Sequence, residues 1–518
     1  MAPFIQFATL PIANGSFDKA IGIYGPFSDM IKQDVPGCLE FALYKSQDSA
    51  TQEVDIIISE SMDRSADIEK LRQVAKLVES AVETVIAQWS KGDAQKVDSV
   101  DGVEIPCHNL YNAQRTLAAA AGTIEELVCD PSLRILAFST QYYESRALHI
   151  AAEHRVADLL DAGDHEKGVH VTEIGKRHIF RETNTDTFAN NVVSQALVRN
   201  EPLRAYVTLF ALDPFSAADY LPTALKHPKL GPSYQVNETA FNLAVGTDAS
   251  RWEWLQEIVP SDKLGVSSRG YPTTSTTQAN GKIEGSQTNG DSRHRRPELE
   301  IFNLAMVGGG KVSSTPHVLD YPWHELGDAT VVDVGGGHGG FVRQLSRQYP
   351  HFKCIVQDSQ AMVDRGREVW QQEKLQDLAS DRVRFMAHDF FTVNPIKGAE
   401  VYWLRYILHD WSDDYCVNIL SRIREAMGPS SRILIADQVM DTTIGSPDLM
   451  EDRAPVPLLA NYGQYVRYSH QRDLGMMALI NGIERTPAQF RSIIEEAGLQ
   501  LVKIWQCRTQ VSIVECRL

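Results

Sequence analysis

Residues 298–518 predict a doubly wound, Rossmann-like α/β domain, set behind a mainly helical region and a small α+β segment at the start of the chain. Three observations carry that prediction. Thr330–Val334 is a short apolar run in which Val331, Val332 and Val334 read as a buried parallel strand. It runs straight into Gly335, Gly336, Gly337, Gly339 and Gly340, where the missing Cβ lets the backbone turn sharply and come close to a ligand. Phe341, Leu345 and Tyr349 then recur at helical spacing, so the order is strand, glycine turn, helix.

The chain divides into four parts. Residues 1–64 carry the apolar stretches IQFATL, CLEFALY and VDIIISE around Pro36-Gly37, a small α+β pattern. In residues 65–261, Leu71, Val74, Val78, Val82, Val85 and Trp89 lie at spacings of three and four and predict an amphipathic helix. Leu148, Ala152, Val156 and Leu159 predict a second, ending before Gly163. Residues 262–297, rich in Ser, Thr, Gly and Gln, are too polar to pack and predict a disordered surface loop. The α/β domain follows, opening on a helix that carries Phe302 and Met306.

Composition limits the class of function. Of 518 residues, 43% are hydrophobic and 23% charged, ordinary for a globular chain able to bury a large core. A formal net charge of −17 argues against nucleic acid and anionic membrane as partners. Seven cysteines, an odd number with no C-x-x-C, predict reduced thiols. MAPFIQF lacks a basic n-region, and no apolar run approaches the roughly eighteen residues of a membrane span, so a cytoplasmic location is expected.

The glycine turn alone is ambiguous. Gly335, Gly337 and Gly340 satisfy the dinucleotide fingerprint, while Asp333 before the turn and Gly335-x-Gly337-x-Gly339 fit an S-adenosylmethionine loop equally well. Either reading puts an acid at the end of the next strand, Cys354–Val356, to accept hydrogen bonds from ribose hydroxyls, and Asp358 stands there. A purely structural turn is the plain alternative. Downstream, the apolar strand beginning at Val401 runs into His409-Asp410-Trp411 and further acids. AHDFF (Ala387–Phe391) and NGIERT (Asn481–Thr486) complete an ordered set over about 190 residues.

That set resembles the metal-independent, plant- and fungal-type S-adenosylmethionine-dependent O-methyltransferases, of the caffeate and sterigmatocystin kind. The resemblance implies a class I methyltransferase fold with S-adenosyl-L-methionine as cofactor and no metal. His409 becomes the general base and Glu484 the carboxylate that orients it; Asp437, at the end of Ile433–Ala436, stands where relatives carry Glu. Asp333, Gly335, Gly337 and Asp358 become cofactor residues, with Asp389 and Phe390 at the adenine and Arg405 where plant relatives carry Lys. Phe302, Met306, Met476 and Asn481 become the substrate wall. His388-Asp389 and His409-Asp410 are adjacent pairs on predicted strand ends, expected to point to opposite faces and therefore to chelate nothing.

The same resemblance makes the helical region a winged-helix-like dimerisation and capping domain, and hence a homodimer. Val169–Arg177 would be the first helix of its winged-helix motif and His178–Glu182 its wing strand, with a second helix missing between Arg177 and His178. Residues 1–64 resemble the ferredoxin-like monooxygenase modules of antibiotic biosynthesis. Relatives that keep the cofactor site while catalysing pericyclisations supply one rival reading, and a non-catalytic dimer partner another. Retained His409 and Glu484 favour methylation. Glu484 also precedes Thr486 and Pro487, which read as the N-cap and first residue of a helix.

Overall fold

The computed structural model describes residues 4–11, 38–45, 53–60, 64–91, 98–100, 103–164, 166–170, 180–260, 293–372 and 381–518. The chain divides into two compact units, 1–76 and 77–518. In the first, the three apolar stretches are strands of one antiparallel sheet, ordered Phe4–Pro11, Glu53–Glu60, Cys38–Lys45. The residues between those strands lie outside the described ones.

The second unit is built on a seven-stranded sheet. Its strands are β1 (Thr330–Val334), β2 (Lys353–Asp358), β3 (Val383–Ala387), β4 (Val401–Arg405), β5 (Arg432–Gln438), β6 (Gln500–Trp505) and β7 (Val511–Arg517), in the order β3-β2-β1-β4-β5-β7-β6. The first five run parallel and β7 closes the sheet antiparallel on β5 and β6. Chain direction across the sheet reverses between β1 and β4, which opens a crevice at the carboxyl ends of those strands. Val331, Val332, Tyr402, Trp403, Leu404, Leu434 and Ile435 are 0% exposed, as expected of parallel strands covered on both faces. The Phe341 ring of the helix Gly340–Gln348 lies 4.2 Å from that of Trp403, nearly parallel to it, and fixes that helix to the sheet.

Helices surround the sheet and extend towards the start of the unit. The helix Ser65–Trp89 carries the predicted stripe, but only part of it is covered: Ala81 and Val85 pack against Ala113, while Val82 and Trp89 face solvent. The second predicted helix is broken. Tyr142–Glu153 ends at His154, Arg155 turns into the left-handed region at φ 52, and Val156–Asp161 continues in a new direction. The turn buries Ala157 and Leu160 and leaves Leu159 exposed. Val169–His170 form a strand rather than a helix start and pair with Thr187–Ala189, whose other neighbour is Arg181–Asn184. Residues 171–179, and with them the Arg177–His178 junction, lie outside the described ones.

At the far end of the polar stretch, Arg293–Arg295 pair with Ile258–Pro260 and Pro297 begins the helix Pro297–Asp320, so the predicted loop ends earlier than 297. An ion pair from Arg296 to Glu257 at 2.6 Å closes the base of that hairpin, and the Arg296 guanidinium lies over Trp254.

Candidate active site

Two clusters sit at the carboxyl ends of the parallel strands. The first gathers around the turn after β1. Gly335 has φ +73, a left-handed conformation that favours glycine, and a Cβ there would push the end of the Ile407 side chain aside. The Gly335 and Gly336 N–H groups donate to the Gln357 carbonyl, and the Gly337 N–H donates to Asp358 Oδ2 at 2.9 Å, which ties the turn to the end of β2. Asp389 is exposed in the loop after β3 and accepts the Phe391 N–H; Phe390, half-buried, lies near the Gly335 position and near Trp411.

Behind this turn, the fully buried Asp333 leaves Oδ2 without a hydrogen-bond partner, and Arg405 likewise leaves Nη1. Burial raises the Asp333 carboxyl to about 7, against the pull of Arg405, and lowers the Arg405 guanidinium. Orphaned buried polar atoms beside a glycine cradle and an acid at a strand end are a donor set matched to a nucleoside with further polar groups. The residues present therefore fit S-adenosylmethionine.

The second cluster is built where β4 ends. Tyr406 takes φ 57, and the chain then forms a 3-10 turn, Leu408–Asp410, so His409 and Asp410 are not on a strand end. The opposite-face expectation for this pair fails for that reason: Asp410 Oδ1 lies 3.3 Å from His409 Nε2. His409 Nδ1 lies 2.8 Å from Glu484 Oε1, with side-chain exposures of 4% and 0%, so water does not compete for the contact. Burial would lower the imidazole, but the Glu484 and Asp410 carboxylates outweigh it and raise it to about 9, against an opposing push from Arg472. Burial likewise acts to raise Glu484, and His409 and then Arg472 bring it below the usual carboxylate range. Asp437, at the end of β5 and 1% exposed, has no partner for either carboxylate oxygen, and burial raises it to about 6.

Glu484 is delivered to His409 by local structure. Thr486 caps the helix Pro487–Glu496 through the Gln489 N–H, with Pro487 at its first turn, as the sequence predicts. Arg485, 1% exposed, donates to the Leu408 and Trp411 carbonyls at 2.9 and 2.7 Å and pairs with Asp413, fastening this segment to the His-Asp-Trp turn. The helix Arg467–Ile480 supplies Arg472, whose Nε donates to Glu484 Oε1 at 3.0 Å, and Asp473, whose carboxylate accepts the Glu484 N–H. Sequence reasoning missed Arg472, Asp473 and Arg485 as parts of this site; the last has a signal in its place directly after Glu484, the first two have none.

The four expected substrate residues are divided. Phe302 is half-buried with its ring 5.6 Å from Trp252, and Met476 is half-buried in the same cluster. Met306, on the helix of Phe302, is 43% exposed. Asn481 takes φ 53 as the C-cap of the helix Arg467–Ile480 and spends its amide donors on the Gln235 and Glu238 carbonyls, a structural task.

The comparisons with known proteins bear on the same residues. A family model described as an O-methyltransferase domain matches residues 324–500, which include every residue expected above at the cofactor or the base. O-methyltransferase tpcA of Aspergillus fumigatus is 50% identical over 476 residues, covering 87% of this chain and 97% of that protein. O-methyltransferase gedA of Aspergillus terreus is 48% identical over 475 residues, covering 87% and 96%. Among solved structures, one titled "A Pericyclic Reaction enzyme" matches with a TM-score of 0.58 at 19% identity, covering 85% of this chain and 98% of that one, a likeness of fold.

Proposed function

The chain belongs to the O-methyltransferase family and transfers a methyl group from S-adenosylmethionine to a metabolite hydroxyl, and from that premise we propose how its residues divide the work. Bound S-adenosylmethionine supplies an electrophilic methyl group on a sulfonium. Asp358 accepts from the ribose hydroxyls, Gly335 and Gly337 allow close backbone approach, and Asp389 with Phe390 holds the adenine. Asp333 and Arg405 meet the remaining polar groups of the cofactor with their unpartnered atoms.

His409 is the general base. The acceptor hydroxyl takes the place beside Nε2 that Asp410 now fills, its O–H bond breaks as the Nε2–H bond forms, and Glu484 at Nδ1 stabilises the resulting imidazolium. A phenol has a pKa near 10, so about one molecule in a thousand is ionised at neutral pH, and a positioned base removes up to roughly 4 kcal/mol from the barrier. Phenolic and enolic hydroxyls are thus the acceptors this site serves. Phe302, Met306 and Met476 form the apolar side of the acceptor site, with Asn481 holding the end of the helix that carries Met476. Asp437 completes the catalytic set as a buried carboxyl close enough to His409 for the two charges to act on one another.

The contact that carries the reading is the buried 2.8 Å pair of His409 and Glu484. His409→Ala should lower methylation of a phenolic acceptor about 10²-fold or more while calorimetry finds S-adenosylhomocysteine affinity nearly unchanged. Full activity in that variant would refute the base assignment. We further assign the helical region ahead of the sheet to homodimer formation, and residues 1–64 to an accessory module of the ferredoxin-like, monooxygenase-related kind with no catalytic duty of its own.

A further inference from the structure

We propose that Arg472 is the positioning residue of the base: standing across Glu484 from His409, it holds that carboxylate on the imidazole and, as a like charge at the ring, enlarges the share of His409 that is unprotonated. The inference rests on the reading of His409 as the base.

Two side chains converge on one oxygen and touch each other. Glu484 Oε1 faces His409 Nδ1 at 2.8 Å and accepts from Arg472 Nε at 3.0 Å, while Arg472 Nη2 lies 3.5 Å from the same Nδ1. The Arg472 side chain is 13% exposed and Glu484 is 0% exposed, so the charges act on one another with little screening by water. The guanidinium is fixed on another side by the Tyr406 ring, 4.5 Å from its centre. One residue further along the same helix, Asp473 accepts the Glu484 backbone N–H at 2.9 Å. A single helical turn therefore grips both the backbone and the carboxylate of the residue that orients the base.

The charge arithmetic gives this grip a purpose. The groups facing His409 are Glu484 from the segment before the last helix, Asp410 from its own turn, Asp437 from β5, Tyr406 from the end of β4 and Arg472 from the helix Arg467–Ile480. Three of the five are carboxyl groups. They favour the imidazolium, and a cation accepts no proton. Among the described residues Arg472 is the one cation in contact with the ring, and it acts on both partners in the useful sense: it favours ionised Glu484 and disfavours protonated His409. The Tyr206 and Tyr468 hydroxyls, 2.5 Å apart, close in on Arg472 and not on the ring.

The test uses the full chain as Arg472→Met, Arg472→Gln, Arg472→Lys, Glu484→Gln and His409→Ala beside the wild type. The protein is labelled with 13Cε1-histidine, and the His409 resonance is assigned by its loss in His409→Ala. In Arg472→Met the His409 titration midpoint and the acid limb of the kcat/KM profile should both move up by about one pH unit, lowering kcat at pH 7 about tenfold with little change in KM. Glu484→Gln should move the midpoint the opposite way. Arg472→Lys, which keeps the charge, should hold the midpoint near the wild-type value, and Arg472→Gln, which removes the charge as Met does, carries the test if the Met variant does not fold. If His409→Ala is inactive yet removing the Arg472 charge moves neither the midpoint nor the acid limb, this proposal fails and the base assignment stands. If His409→Ala is fully active, both fall.

Discussion

At the scale of single residues, this site depends on carboxyl groups held where water cannot reach them. Asp437 shows the cost. Its folded value of about 6 lies above the ordinary 3.8, so its contribution to stability is complete below about pH 3.8 and is lost as pH rises through about 6. Asp437→Asn removes that loss. The variant should melt at nearly the wild-type temperature at pH 4 and above it at pH 8, by a margin on the order of 2–3 kcal/mol in unfolding free energy. Equal melting differences at both pH values would show that the carboxyl is not strained by burial. His409, Glu484 and Asp437 were legible because each occupies a recognisable motif position. Arg472 was not: it sits in a helix of mixed polarity, and only the approach of that helix to a segment 12 residues later gives it a partner.

At the scale of elements, the strands were the most legible features, because a buried parallel strand is a continuous apolar run and β1, β4 and β5 are such runs. Helix breaks were the least. Ala152, Val156 and Leu159 keep helical spacing across the left-handed Arg155, so periodicity carried no trace of the turn. Helix contacts are equally silent, and Gly308 is an instance. A glycine inside a helix usually costs about 1 kcal/mol relative to alanine. Here a Cβ would stand 2.5 Å from the Pro202 carbonyl oxygen, a backbone atom that cannot swing aside. Gly308→Ala should therefore destabilise the protein, against the sign of propensity, by separating the helix Glu201–Phe210 from the helix Pro297–Asp320. A raised melting temperature would contradict that packing account.

At the scale of the whole molecule, no described helix is long and apolar enough to cross a membrane, yet the helix Pro131–Thr140 has no buried residue. Leu133, Ile135 and Leu136 are 66%, 68% and 61% exposed, and Phe138 is 46% exposed. An apolar helix left uncovered in one chain is the surface expected of an association site. On the homodimer reading, Leu136→Glu should yield a monomer in analytical ultracentrifugation while leaving S-adenosylhomocysteine binding intact. An unchanged dimer would take this helix out of the interface. The division into cofactor domain and helical region could be read from composition and pattern, whereas assembly could not, since an exposed apolar face and a buried one have the same periodicity.

The two clusters at the strand ends have separate origins in the chain. On the proposed reading, seating of the donor draws on β1, β2, β4 and the loop after β3, while the orientation of the base waits on Glu484, 75 residues beyond His409. The carboxylate that orients the base can thus change apart from the cofactor residues. A lineage could alter the few positions around Glu484 and lose proton abstraction while every contact to the nucleoside stayed under selection, leaving a scaffold that still holds its sulfonium as a fixed charge for other chemistry. The sheet order that divides the site is therefore also what lets such a protein change occupation without rebuilding its fold.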